Sequence, residues 1–168
     1  MIYPFNAAEA LKIALSIEEN GLKFYQEAAR RFAGPTADLF TKLAGEEVAH
    51  KALFQKMLDT LPKDASPTVF DPDNETDQYL QMMADLHIFR QGAQALEKAL
   101  SGVKDPKDAL LLAIGFEKDS VTLYVQLKEA SAELSDRISA DRLISEEARH
   151  LRVLSMEYNR LYGPGKQA

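Results

Sequence analysis

Two segments of the first half of this sequence recur in the second. ALSIEENGLKFY (residues 14–25) parallels AIGFEKDSVTLY (113–124), and LAGEEVAH (43–50) parallels LISEEARH (143–150). The offsets are 99 residues from Glu18 to Glu117 and 100 from Glu47 to Glu147. Around both copies, apolar residues recur at alternating three- and four-residue steps, the period of an amphipathic helix. The repeated unit is therefore a pair of helices, and the duplication predicts a bundle of four long helices related by an approximate twofold axis.

Glycine and proline mark the breaks: Gly34-Pro35, Pro62 to Pro72, Gly102 to Pro106, and Gly163-Pro164-Gly165. Helix one is expected from about Ala7 to Phe32, capped by Asn6 with Glu9 completing a capping box. Its apolar stripe reads Leu11, Leu15, Leu22, Tyr25, Ala29 and Phe32. Helix two starts near Pro35 or Thr36 and ends by Leu61, before Pro62, with Phe40, Leu43, Phe54, Met57 and Leu61 on its stripe. Residues 62–105 form a long crossover, with shorter helical pieces near 77–89 and 91–101. Helix three follows Asp105 as cap and Pro106 as first residue, with Leu110, Ile114, Val121, Tyr124 and Leu127 on its stripe. Helix four runs from near Ser135 to Tyr162, with Ala140, Leu143, Leu154 and Leu161. No strand pattern competes. The expectation is one domain over residues 1–168: helix pair 7–61, crossover 62–105, helix pair 106–162. Short loops within the pairs and one long crossover between helices two and three give an all-α, ferritin-like four-helix bundle.

Each stripe is interrupted by acid at mid-helix. Glu18 falls between Leu15 and Leu22, Glu47 and His50 between Leu43 and Phe54, Glu117 between Ile114 and Val121, Glu147 and His150 between Leu143 and Leu154. An ionised carboxylate at a core position costs several kcal/mol unless compensated. No Lys or Arg occupies the facing stripe positions. Two divalent cations would cancel the four negative charges. Residues three apart share a helix face, so each Glu-x-x-His pair can offer an oxygen and a nitrogen to the same metal pair. The alternative is a metal-free network, in which four carboxylates sharing two imidazoles would be poorly satisfied.

Glu, Glu-x-x-His, Glu, Glu-x-x-His on four successive helices resembles the ferritin-like di-metal carboxylate proteins, and EKDSVTLY and EEARH resemble the rubrerythrin-related branch most. The resemblance covers nearly the whole chain outside 62–105. It implies that Glu47 and Glu147 bridge two metals, that Glu18 and Glu117 are terminal ligands, and that His50 and His150 bind one ion each. Two features depart from it. Rubrerythrins carry a rubredoxin domain with a four-cysteine iron site, and this sequence has no cysteine. They also carry a further glutamate three residues after the first on helix three, where this sequence has Ser120.

Several neighbours have two readings. Tyr25 and Tyr124 lie two turns from Glu18 and Glu117 on the same faces, and are either hydrogen-bond donors and redox partners beside the site or core filling. Gly21 and Ser120, each three residues after a terminal glutamate, either leave room for a small oxidant or allow close helix packing. Glu19, Glu46 and Glu146 point about 100° away from the ligands and are solvated or outer-shell. His87 lacks a partner at ligand spacing and reads as structural, and Arg149 and Arg152 as outer-face ion-pair partners.

Carboxylates and imidazoles suit iron or manganese, and zinc could bind without redox chemistry. The expected function is a di-iron or di-manganese oxidoreductase of rubrerythrin type, which reduces peroxide or dioxygen. Its electrons would come from an external donor protein such as a rubredoxin. The rival readings are a ferroxidase or iron-storage protein, a helical protein with a merely structural metal pair, and a hydroxylase. Resemblance suggests a homodimer. A net charge of −6 gives no basic patch for nucleic acid or an anionic membrane. The chain lacks a signal-peptide pattern and a run of about 18 apolar residues, so the default expectation is cytoplasmic and non-membrane.

Overall fold

A computed structural model describes residues 7–60, 78, 82, 93–130 and 134–164. Among the described residues, five helices have defined bounds: α1 (Ala7–Arg31), α2 (Pro35–Thr60), α3 (Ala93–Gly102), α4 (Pro106–Ala130) and α5 (Leu134–Tyr162). No strand occurs among the described residues. The expected cap at Asn6, the side chain of Glu9, the end at Leu61, His87 and most of the crossover lie outside them. Gln78 and Met82 are helical, and the piece expected at 91–101 is α3.

The helix ends follow local chemistry. Gly34 takes a left-handed conformation (φ 69°) that a side chain disfavours, and so turns the chain sharply between α1 and α2. Pro35 then opens α2, where its missing N–H costs nothing. Asp105 caps α4: its Oδ1 accepts from the Asp108 amide at 2.9 Å, and Asp108 Oδ2 accepts from the Lys104 amide at 3.1 Å. Helix α3 docks on the end of α1, where Arg31 donates to the Leu100 carbonyl at 2.8 Å and Leu96 is buried.

Helices α1 and α2 form one hairpin and α4 and α5 the other, and the hairpins pack through α1 on α4 and α2 on α5. Tyr25 meets Glu117 while Tyr124 meets Glu18, so α1 and α4 run antiparallel. Helices α2 and α5 do the same, with His50 beside Glu146 and His150 beside Glu46.

The core repeats the duplication. Leu11 and Leu110, Ala14 and Ala113, Ile17 and Phe116, Phe24 and Leu123, and Leu43 and Leu143 are buried at equivalent places. The buried face of α1 differs from the expected stripe. Leu15, Leu22, Ala29 and Phe32 are only partly buried, while Ala14, Ile17, Phe24 and Ala28 fill the interior. On α4, Ile114 and Val121 are likewise half-buried, and Phe116 and Leu123 lie inside. Both faces are turned by roughly one residue step, up to about 100°, because α1 and α4 bury sides against each other as well as against their hairpin partners. Phe24 sits at that junction, edge-on to Phe116 with ring centroids 5.1 Å apart.

Candidate metal centre

All six residues expected inside are inside: Glu18, Glu47, His50, Glu117, Glu147 and His150 are each at most 4% exposed. They form two overlapping groups, each with ligand atoms within 4.8 Å of one another: Glu18, Glu47, His50 and Glu147, and Glu47, Glu117, Glu147 and His150. Glu47 and Glu147 belong to both. His50 and His150 stack at 5.3 Å between centroids. Each ring turns Nδ1 toward the carboxylates: His50 Nδ1 lies 2.8 Å from Glu147 Oε1, and His150 Nδ1 lies 3.1 Å from Glu147 Oε2.

The far ring nitrogens explain Glu46 and Glu146, whose role the sequence left open. His50 Nε2 is 2.9 Å from Glu146 Oε2, and His150 Nε2 is 2.8 Å from Glu46 Oε2. The pairing crosses between hairpins. Each outer carboxylate is held in turn by an arginine: Arg142 donates to Glu146 at 2.9 Å and Arg149 lies 2.8 Å from Glu46. A carboxylate at Nε2 keeps the proton there and leaves Nδ1 free as a ligand. Arg149 is thus an ion-pair partner as expected, but one that braces the cluster. Glu19 stays outside it, exposed and paired with Lys23 and Lys51.

The two tyrosines are buried and donate crosswise, Tyr25 to Glu117 and Tyr124 to Glu18. Each is seven residues from the glutamate on its own helix, about 10 Å along the axis. The antiparallel neighbour brings the other glutamate level with the phenol instead. Burial first, and then the facing carboxylates, raise both phenols well above the usual tyrosine range, so they remain protonated donors.

Without metal the cluster must hold protons. Burial and the Glu18 charge raise Glu47, while burial and the Glu147 charge raise Glu117. Burial works against Glu147 as well, but hydrogen bonds from Glu117 and both histidines hold it low. His150 is driven up to about 10: burial opposes its charge, and Glu117 and Glu147 outweigh burial. His50 is raised further for the same reason, with Glu147 and Glu18 beside it. The donor set fits a metal pair. It has four carboxylates and two inward Nδ1 atoms, and Glu147 Oε1 and His150 Nδ1 are buried without an aligned hydrogen-bond partner. His150 Nε2 and Glu46 Oε2 are also buried and, though in close contact, are not aligned as a hydrogen bond, unlike His50 Nε2 and Glu146.

These shifts carry a sign. Above pH 4.5 an unfolded chain releases protons that folded Glu47 and Glu117 keep, and above 6.5 those that folded His50 and His150 keep. The stability from these groups is complete at low pH and is lost as pH climbs toward the raised values. Glu147, depressed, contributes a constant amount above pH 5. Chelator-treated protein should therefore melt at lower temperature at pH 9 than at pH 6, followed by circular dichroism. A rising melting temperature would contradict the protonated cluster.

A small cavity adjoins the cluster, lined by Glu18, Glu47, Glu117 and Glu147 together with Ile17, Gly21, Tyr25, Phe116 and Ser120. Gly21 and Ser120, which the sequence placed between access and packing, both line this space. No helix among the described residues is long and apolar enough to cross a membrane.

Comparison with known proteins agrees with this geometry. The structure resembles the crystal structure of a Thermotoga maritima protein described as ferritin-like and diiron-carboxylate. The TM-score is 0.68 at 25% identity, over 95% of this chain and 98% of the other. None of the curated proteins is similar enough in sequence to match. The fold is thus a ferritin-like all-α bundle, and its buried Glu and His groups could bind metal. Residues 9–158 match the sequence model of the Rubrerythrin family, and on that extent the chain belongs to the rubrerythrin family.

Proposed function

We propose that the chain binds two iron ions and reduces hydrogen peroxide or dioxygen, with a small external redox protein such as a rubredoxin returning the electrons. The observation that carries this is the pair of overlapping ligand sets, which share Glu47 and Glu147 and open onto a cavity. Glu47 and Glu147, common to both groups, would be shared by the two ions, with Glu18 and His50 completing the set for one and Glu117 and His150 the set for the other. Manganese suits the same donors.

A bound, reduced iron pair would supply the two electrons that, with two protons, take hydrogen peroxide to two waters. The chain does the rest. Four carboxylates balance the charge of two divalent ions in a dry interior. Glu46 and Glu146 fix the histidine tautomers. Tyr25 and Tyr124 each hold a terminal glutamate through a phenol proton, which limits how far that carboxylate can swing and places a proton donor within reach of the centre. Tyr25 also lines the cavity, so its hydroxyl is the phenol nearer an incoming oxidant. Ile17 and Phe116 give the same space an apolar wall.

Stopped-flow mixing of anaerobic ferrous protein with hydrogen peroxide tests this. The expected result is oxidation of both irons within seconds, at one peroxide per iron pair. Oxidation no faster than for ferrous iron in buffer would sink the peroxidase reading. Light scattering tests the accompanying proposal of a homodimer.

A further inference from the structure

The cavity has a composition that the ligand cluster does not explain. Besides glutamates, its lining combines bulky buried side chains, Ile17 and Phe116, with two small residues, Gly21 and Ser120. The small pair is not scattered. Gly21 follows Glu18 by three residues on α1, and Ser120 follows Glu117 by three on α4. Each therefore sits one turn along the same face as a terminal glutamate. Both halves of the duplication thus put their smallest wall at the same point, on the two antiparallel helices that flank the space. The space itself is on the scale of a water molecule or two. A longer side chain at either place would occupy it.

We propose that Gly21 and Ser120 are the specificity-determining residues of this site. They form a size filter that admits a ligand of hydrogen peroxide dimensions to the metal pair and excludes alkyl hydroperoxides. This rests on the reading of the cluster as a metal pair, but not on peroxide being its substrate. Filling the serine position shuts the space while every ligand residue is kept, and emptying it widens the space on the α4 side.

Azide and pivalate serve as small and bulky probes of the oxidised, iron-loaded protein, titrated by visible absorption. The variants are Ser120→Val and Ser120→Gly, with iron content and circular dichroism measured for each. Valine should raise the azide Kd by about tenfold or more with two irons retained, and glycine should narrow the preference for azide over pivalate by about tenfold, the scale of one or two methylenes in a closed pocket. An azide Kd within twofold of the parent in Ser120→Val, or an unchanged azide preference in Ser120→Gly, would overturn the filter. Should Ser120→Val fail to hold iron, the glycine variant decides alone. The azide and pivalate titrations give their answer whether or not peroxide reacts, so failure of the filter and failure of the peroxidase reading remain distinct.

Discussion

Protein carrying Glu47→Ala and Glu147→Ala together should emerge with almost no bound metal, where the parent should carry about two ions per chain. The expectation follows from sharing. Each of these glutamates belongs to both candidate ligand groups, while Glu18, His50, Glu117 and His150 serve one each. Removing both leaves each position a single carboxylate and a single imidazole, too few donors and too little charge to hold a divalent ion in a buried place. The fold itself should survive in the double variant. Two buried acid side chains vanish, and the surrounding core of Phe24, Phe40, Leu43, Phe54, Leu143 and Leu154 does not depend on them. Elemental analysis of protein purified without added metal provides the measurement and also identifies the native metal. More than about one ion per chain in a folded double variant would remove the shared-ligand assignment.

Glu46→Gln and Glu146→Gln should each lower metal affinity by about 10- to 100-fold, and the double variant by more, although neither residue reaches the cluster's interior. Glutamine keeps an oxygen that can accept from the histidine Nε2, so ring orientation is largely retained. What it loses is the negative charge that makes the imidazole a stronger ligand, and the ion pairs to Arg149 and Arg142. Competition with a calibrated chelator measures the effect, and ferrous oxidation rates supply an independent one. Affinities within twofold of the parent would show that these carboxylates merely solvate the surface. Because Glu46 braces His150 and Glu146 braces His50, each single variant should weaken one position more than the other. Two-step loading curves with opposite asymmetry would display this.

The six cluster residues were legible because they violate a pattern. Acid in the middle of an apolar helix stripe is costly enough to require a partner, and four such violations at repeated spacing point to a single compensated centre. The helix boundaries were legible for local reasons: Gly34-Pro35, Pro106 and Gly163 act through their own backbones, and Asp105 through its own carboxylate. Glu46 and Glu146 were harder to place. From one helix alone they point away from the ligands, and only the packing of α2 on α5 shows that the neighbouring hairpin's histidine lies in that direction. The doubled acid in EEVAH and EEARH was the available signal, since both halves repeat it.

What the sequence determined by itself is local and periodic: four long helices as two copies of one pair, their ends, and an acid and imidazole set at the middle of each pair. Backbone conformation and side-chain period need no knowledge of neighbours, so they can be read residue by residue. Tertiary structure alone decided the quantities that depend on how one helix turns and slides against another. It rotated the buried faces of α1 and α4 toward Phe24 and Phe116, crossed Tyr25 to Glu117 and Tyr124 to Glu18, and left a small space at Gly21 and Ser120. Those outcomes come from close packing between hairpins, where a rotation of one residue step changes which side chains meet.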